Sequence, residues 1–191
     1  MPTRRRFLLS VGLAALNAAI LTIPWLVAGR SGDSRAFAAF LVLVTIFCFV
    51  EASLVDEVPR GERNLAALAT MTGLAILGTF VVAMLTEGRS VHDGLAIVCG
   101  ASLMTAGVAL RCIAVFTLGS RFVSELRVPP GEPLVRSGVY RWLDHPSEVG
   151  LILLTAGAPL LFRSVGSAMV WALVLVPLTR ARIKAEIRFL A

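Results

Sequence analysis

The sequence has few of the residues on which soluble folds, metal sites and most catalytic sites depend. Only 16% of its 191 residues are charged, and it contains one tyrosine and two histidines. Its three cysteines, Cys48, Cys99 and Cys112, form no C-x-x-C pair and no cluster with histidine, so neither a zinc site nor a disulfide framework is indicated. We therefore predict no bound metal, and three free thiols buried among apolar residues.

Several catalytic and binding signatures are also missing. No Ser-His-Asp or Cys-His arrangement suggests a nucleophilic residue, and no glycine-rich fingerprint of a soluble cofactor domain is present. The net charge is +6, but the basic residues lie in short loops between apolar blocks and do not alternate with aromatic stacking platforms. We exclude nucleic acid as a partner, because membrane topology explains this distribution of charge better.

Long apolar blocks are what the sequence has in abundance. Hydrophobic residues make up 57% of the chain and its mean hydropathy is +0.84, whereas a soluble domain is typically only about 45–50% apolar. A helix of about 20 apolar residues crosses the hydrocarbon core of a bilayer. We predict an all-α membrane protein: one domain over residues 1–191, a polytopic helical bundle of about six transmembrane helices surrounded by membrane lipids.

The predicted spans are four separate helices followed by a helical hairpin. The four cover about residues 7–28, 36–55, 65–86 and 95–118, and the arms of the hairpin cover about 147–162 and 164–178. Arg163 marks the tip, where Pro159 weakens the end of the first arm and Gly166 the start of the second. The opening T-R-R-R-F-L-L resembles a twin-arginine export signal, but we interpret it as the cytoplasmic flank of the first span.

The distribution of Lys and Arg sets the predicted orientation. With the amino terminus inside, fourteen basic residues fall on the cytoplasmic side and four on the outer side, as the positive-inside rule favours. Both termini, a polar segment at 119–148 and a closing stretch at 180–190 then face the cytoplasm. The expected location is an inner or plasma membrane, or the endoplasmic reticulum in a eukaryote.

Polar chemistry is concentrated in one run, S-G-V-Y-R-W-L-D-H-P-S-E-V-G, and in the closing stretch. Gly138 frees the chain to turn, and Tyr140 and His145 supply hydrogen-bonding groups. Pro146 begins a helix whose amino terminus attracts an anion, with Ser147 and Glu148 in its first turn. In the closing stretch Arg182 and Glu186 stand four residues apart and share a helix face. These groups suit a ligand with an anion and an amine, such as the amino-acid end of a cofactor. They also suit plain interfacial anchoring, with Arg182 and Glu186 paired to each other.

Arg111 lies about two turns from the end of the fourth predicted span. An ionisable group at that depth is costly, so its side chain either extends to the membrane interface or faces a polar cavity. In the second case it is a candidate partner for an acidic group of a ligand.

Three runs together resemble the isoprenylcysteine carboxyl methyltransferase family, one of the phospholipid-methyltransferase-like membrane enzymes. They are T-L-G at 117–119, L-V-R-S-G-V-Y-R-W-L-D-H-P-S-E-V-G at 134–150, and R-I-K-A-E-I-R-F-L at 182–190. The family pattern is roughly G-x-Y-x-x-x-R-H-P-x-Y-x-G, then a hairpin of two membrane helices, then R-x-x-x-E-E. Residues 95–191 are therefore similar to a methyltransferase core, and residues 1–94 supply three less specific spans.

The resemblance implies a membrane methyltransferase that binds S-adenosylmethionine at the cytoplasmic face. Its methyl acceptor would be lipophilic and enter from the bilayer, as an isoprenylcysteine carboxylate or a small lipid does. The residues that match the family motifs by position, and so the implied cofactor-binding residues, are Tyr140, His145, Pro146, Gly150, Arg182 and Glu186. The candidate catalytic residues are Arg111 and Glu148.

The sequence departs from the family pattern at three positions. Asp144 replaces an arginine, Glu148 replaces a tyrosine, and Ile187 replaces the second acid of the closing motif. Added acids tolerate the positive sulfonium of the cofactor but repel a carboxylate acceptor. One alternative is therefore a catalytically degenerate binding or scaffold protein of the same fold. A small transporter is another, indicated by Arg111 and the proline-broken hairpin.

Overall fold

The structure is a computed structural model, and the parts of the chain that it describes are almost entirely helical. The described residues are 11–12, 15–23, 26, 34–54, 63–86, 94–118 and 137–190. Within these ranges the side chains of residues 34–36, 50–54, 63–67, 69 and 186–190 lie outside the description.

Seven α-helical segments follow one another along the described chain. They are α1 (residues 15–23), α2 (Ser34–Leu54), α3 (Arg63–Leu85), α4 (Gly94–Leu118), α5 (Pro146–Leu161), α6 (Val165–Val170) and α7 (Val176–Leu190). A 3-10 turn, Gly138–Arg141, precedes α5, and a π turn, Trp171–Leu175, joins α6 to α7. The predicted all-α class is confirmed, and the limits of α2, α3 and α4 agree with the predicted spans to within two residues. Much of the first predicted span, with the twin-arginine-like opening, and all of 119–136 lie outside the described residues.

Two helices in the described part of the chain are long and apolar enough to cross a membrane. They are Gly94–Leu118, with a mean hydropathy of 1.8, and the continuous helix Val165–Ala185, with a mean hydropathy of 1.2. Three shorter apolar helices cover Phe37–Phe49, Thr70–Leu85 and Pro146–Leu161.

The outer surface of these helices is apolar as well. Leu95, Phe116, Val165 and Leu173 are each 70% exposed or more. Proteins in water rarely expose apolar patches on this scale, because each exposed side chain loses the free energy of transfer from water. The surface therefore indicates contact with lipid.

α4 and α5 pack against each other backbone to backbone through two pairs of glycines. A Cβ atom added to Gly107 would lie 2.6 Å from the carbonyl oxygen of Gly150, and one added to Gly150 would lie 2.8 Å from that of Gly107. One added to Gly100 would likewise lie 2.8 Å from the carbonyl oxygen of Gly157. In each helix the two glycines are seven residues apart, about two turns, so both pairs lie on one seam. Small residues allow such close packing where no hydrophobic effect drives helices together.

An aromatic cluster joins α2 and α3 to the end of α5. The ring centroid of Phe40 lies 5.1 Å from those of Phe80 and Phe162, and both pairs meet edge to face. All three side chains are buried. Edge-to-face pairs add a specific attraction to ordinary packing, so this cluster fixes the end of the bundle opposite the start of α5.

The chain turns between α5 and α6 where the sequence predicted a break. α5 ends two residues after Pro159, and Arg163 takes a positive φ of 54°. Ser164 then caps α6 by accepting a 2.9 Å hydrogen bond from the amide of Ser167, and its hydroxyl lies 2.5 Å from that of Thr86, the residue after α3. The turn is thus held to α3 by polar contacts.

The prediction that the second arm ends near residue 178 is wrong, because the helix continues without a break to Leu190. Apolar content stops near residue 178, but no glycine or proline follows Pro177 to end the helix. The π turn before Pro177 was not predicted either. Its last amide, that of Val176, donates to the carbonyl of Trp171 five residues back. A proline clashes with the carbonyl four residues before it, and the wider turn accommodates that clash.

No disulfide joins the three cysteines, and the prediction that they are buried is wrong. Cys99 is exposed on α4, and Cys48 and Cys112 are only partly buried. The prediction equated an apolar stretch of sequence with the interior of the protein. In a bundle surrounded by lipid, apolar positions face outward as readily as inward.

Candidate active site

The candidate site begins at the start of α5. His145 is the residue before the helix, Pro146 is its first residue, and Ser147 and Glu148 lie in its first turn, as predicted. No side chain forms a capping hydrogen bond there, and the carbonyl of His145 accepts from the amide of Val149 at 3.1 Å. The carboxylate of Glu148 is favoured at this end by the helix dipole.

The 3-10 turn before α5 places Tyr140 next to this start. Gly138 has a φ of +57°, a conformation that glycine adopts without strain, and the amide of Tyr140 donates to the carbonyl of Ser137 at 3.2 Å. A Cβ atom on Gly138 would lie 3.2 Å from Cγ2 of Thr117. The turn therefore rests on the end of α4, with Tyr140 and His145 both half-buried.

Arg111 on α4 reaches the first turn of α5. Its Nη1 atom donates to the carbonyl oxygen of Ser147 at 2.9 Å and to the hydroxyl of Ser147 at 2.7 Å. The guanidinium carbon lies 5.4 Å from the ring centroid of Phe47 on α2. The side chain is only 4% exposed and contacts polar groups of the protein. Of the two alternatives, these contacts favour a polar environment within the protein.

Glu148 and Arg182 join the two polar stretches of the sequence. The Oε1 atom of Glu148 lies 3.5 Å from Nε of Arg182 on α7, and Glu148 is only 7% exposed. The other carboxylate oxygen, Oε2, is buried without a hydrogen-bond partner. Arg182 was expected to pair with Glu186 if the stretch served only as an anchor. The side chain of Glu186 lies outside the description, although its backbone belongs to α7.

The structure therefore brings five of the predicted site residues together as one cluster around the start of α5. Glu148 and Arg182 are in contact, Arg111 binds the residue next to Glu148, and Gly150 lies where α4 touches α5. Pro146 is buried at the start of the same helix. Among the described residues, Arg111 and Glu148 are the buried charged side chains, and Arg182 is partly buried.

Two contacts of the cluster were not predicted from the sequence. Ser147 was noted only as a residue of the first helical turn, although a hydroxyl beside Pro146 was a signal for a polar contact. Nothing in the sequence marked Phe47 as a residue of the site, because aromatic residues are common in apolar spans. Its contact with Arg111 shows that α2, which we regarded as less specific, also builds the site.

The cluster combines groups that suit a ligand of mixed charge. A helix amino terminus and two guanidinium groups attract an anion. The open oxygen of Glu148 accepts a hydrogen bond from a donor. Because the cluster is buried, each of these interactions is stronger than it is in water.

Comparison with known proteins places this arrangement in a family. The sequence profile of the isoprenylcysteine carboxyl methyltransferase family matches residues 98–191. The protein-S-isoprenylcysteine O-methyltransferase of Saccharomyces cerevisiae is 32% identical over 175 residues, which cover 82% of this chain and 72% of the yeast protein. The enzyme of the same name from Rattus norvegicus is 34% identical over 89 residues, 46% of this chain and 31% of the rat protein.

A bacterial protein of unassigned function is similar as well. The uncharacterized protein YpbQ of Bacillus subtilis is 27% identical over 126 residues, covering 66% of this chain and 73% of that protein. No solved structure matches the chain. The family match covers α4 to α7, the helices that build the cluster, and the similarity to the yeast protein extends over most of both chains. The family suggested by the sequence motifs is thus confirmed: the chain belongs to the isoprenylcysteine carboxyl methyltransferase family.

Proposed function

We propose that this protein transfers a methyl group from S-adenosylmethionine to a lipophilic acceptor at the cytoplasmic face of a membrane. Family membership supports methyl transfer, and the yeast and rat relatives are named protein-S-isoprenylcysteine O-methyltransferases. The acceptor on this proposal is an isoprenylcysteine-like carboxylate or another small lipid.

The contact between Glu148 and Arg182 is the observation that carries the proposal. Each residue belongs to one of the two polar stretches that match the family motifs, and the 3.5 Å separation brings these stretches to one place. A ligand that is held by both motifs requires such a meeting point.

The proposed membrane arrangement has about six spans, with the last two forming a hairpin and both termini in the cytoplasm. Two contacts across the turn at Arg163 support the hairpin: the Nε1 atom of Trp171 donates to the hydroxyl of Thr155 at 3.2 Å, and Arg182 meets Glu148. The excess of basic residues on one side supports the orientation. An acceptor dissolved in the bilayer then enters the site from the side.

The residues present fit S-adenosylmethionine. Its carboxylate suits the start of α5, where the N-cap side chain forms no capping hydrogen bond. Tyr140, His145 and Glu186 are the residues assigned to its remaining polar groups by position in the motifs. When bound, this cofactor supplies a methyl group on a positively charged sulfur.

The protein's own contribution is binding, orientation and exclusion of water. The buried Arg111 holds the first turn of α5 in place, and Arg182 holds the carboxylate of Glu148. Holding two reactants in line contributes about 7–11 kcal/mol to lowering a barrier. A carboxylate acceptor needs no general base, and no nucleophilic residue is required.

Calorimetry on the purified protein tests the proposal. S-adenosylmethionine should bind the wild-type protein, and His145→Ala and Glu186→Ala should each abolish binding while the protein still inserts and folds. Arg180→Ala is the control, because Arg180 lies exposed on the same helix as Glu186. Normal binding by either site variant would show that the site assignment is wrong.

Two results would replace the proposal with an alternative. Absence of binding to the wild-type protein at millimolar cofactor would favour a scaffold protein that has lost the chemistry. Accumulation of a solute in proteoliposomes without any methyl donor would favour a transporter.

A further inference from the structure

We propose that the methyl acceptor presents a neutral hydroxyl or thiol group to Glu148, and that the Oε2 atom of Glu148 takes its proton. This inference rests on the proposed function and narrows its acceptor. It also gives a role to the residue that most clearly separates this chain from the family pattern, in which a tyrosine stands at position 148.

The first argument is the open hydrogen-bonding capacity of Glu148. The residue is 7% exposed, and Oε2 is buried with no hydrogen-bond partner. Buried polar atoms are nearly always bonded in native proteins, so an exception requires a reason. A carboxylate oxygen only accepts hydrogen bonds, and the partner it lacks must therefore be a donor.

The second argument is the charge around this oxygen. Arg182 lies 3.5 Å from the other oxygen of Glu148, and Arg111 binds the neighbouring Ser147. A protonated amine has no lone pair with which to attack the methyl group, so it is excluded as the acceptor. A carboxylate acceptor has no proton to donate, so it would leave Oε2 unpaired and be repelled by it. A neutral hydroxyl or thiol has both a lone pair that can attack and a proton that Oε2 can accept.

The third argument is the fate of the proton. The oxygen or sulfur of the acceptor forms a bond to the methyl carbon, and the bond from that carbon to the sulfonium breaks with its electron pair left on sulfur. The acceptor's proton passes to Oε2, so that Glu148 becomes a neutral carboxylic acid. Glu148 returns the proton to water before the next turnover. Hydroxyls and thiols need such a base because they are weak nucleophiles while protonated.

Three acceptors with the same twelve-carbon chain provide the test: dodecanol, dodecanethiol and dodecanoate, each with labelled S-adenosylmethionine. Wild-type protein should methylate the alcohol or the thiol, with dodecanoate at least about tenfold slower, since a positioned base contributes about 10²–10⁴-fold. This comparison needs no variant, so it decides the question even if substitutions at position 148 fail to fold.

Glu148→Gln then separates catalysis from binding. It should lower kcat with the favoured acceptor about a hundredfold, within the range for loss of a general base. It should leave the calorimetric Kd for S-adenosylmethionine within about twofold. Glu148→Asp should restore part of the rate. Asp144→Asn is the matched control, because Asp144 is an exposed acid four residues earlier. Its loss should change neither kcat nor the Kd for S-adenosylmethionine.

The outcomes distinguish this inference from the function on which it rests. If dodecanoate is methylated and the alcohol and thiol are not, the inference is wrong and methyl transfer stands. If Glu148→Gln weakens cofactor binding as much as turnover, Oε2 binds a group of the cofactor and the inference is again wrong. If the wild-type protein binds no cofactor and methylates none of the three, both proposals are wrong.

Discussion

Glu148 and Arg182 form a buried ion pair between the first turn of α5 and the middle of α7, with 3.5 Å between Oε1 and Nε. The carboxylate side chain is 9% exposed and the guanidinium side chain 16%. The carboxylate of Glu148 therefore depends on Arg182 for much of the stabilisation that water would supply. This dependence makes the pair both a support of the fold and a feature of the site.

Replacing Arg182 tests the structural role of the pair. Arg182→Met should lower the free energy of unfolding by about 3 kcal/mol, because removal of one partner leaves an uncompensated buried charge. Arg180→Met is the control and should change it by less than about 0.5 kcal/mol, since Arg180 is exposed. Chemical denaturation in detergent measures both.

A double variant gives a stricter test of the same pair. Glu148→Gln combined with Arg182→Met should recover part of the stability lost in Arg182→Met, because it removes the unpaired charge. If the stability lost in the double variant equals the sum of the losses in Glu148→Gln and Arg182→Met, the two residues are not coupled.

The glycine contacts between α4 and α5 predict a sharp contrast among alanine substitutions. Gly107→Ala and Gly150→Ala should each destabilise the protein by about 1–3 kcal/mol or more, because the new methyl group meets backbone atoms that do not yield. Gly78→Ala on α3 should be neutral or stabilise by up to about 1 kcal/mol, since no atom lies within 4 Å and alanine favours helix. Thermal unfolding of the three variants in one detergent compares them, and equal effects would contradict the close packing.

The contact of Arg111 with Ser147 predicts graded effects. Ser147→Ala removes the hydroxyl partner but leaves the carbonyl, and should cost about 1 kcal/mol. Arg111→Met removes both bonds and the contact with Phe47, and should cost more. Unfolding measurements in which Ser147→Ala loses more stability than Arg111→Met would contradict the arrangement.

Asp144 departs from the family pattern as Glu148 does, but its position predicts a different result. Asp144 is exposed, so water and salt screen its charge from the site. Asp144→Arg, which restores the family residue, should leave cofactor affinity and turnover within about threefold. A much larger rise in activity would show that Asp144 handicaps the enzyme.

Local chemistry predicted the helices and the start of the site well. Proline at the first helical position, with an acid in the first turn, identified the beginning of α5 at Pro146. Glycine before Tyr140 indicated a turn, and Gly138 has the positive φ that makes glycine useful there. Signals of this kind depend on a few neighbouring residues, so they can be read from the sequence.

Contacts between distant residues were harder to predict. Nothing near Glu148 indicates Arg182 as its partner, because the meeting depends on the turn at Arg163 and on the length of the helix after it. The π turn shifts which face of α7 points inward, and its one signal was Pro177. The glycine pairs had a signal that we did not use, namely the same seven-residue spacing in α4 and α5.

The direct contact of α4 with α5 at Gly107 and Gly150 also limits the path by which a lipid could reach the site. The peptide groups of the two helices already touch there, so a hydrocarbon tail has no passage between them. On the proposed function, an acceptor that arrives from the bilayer has to travel around another flank of α5 before its head group meets Glu148. The route therefore lies on the sides of α5 that α4 leaves uncovered, where α7 carries Arg182.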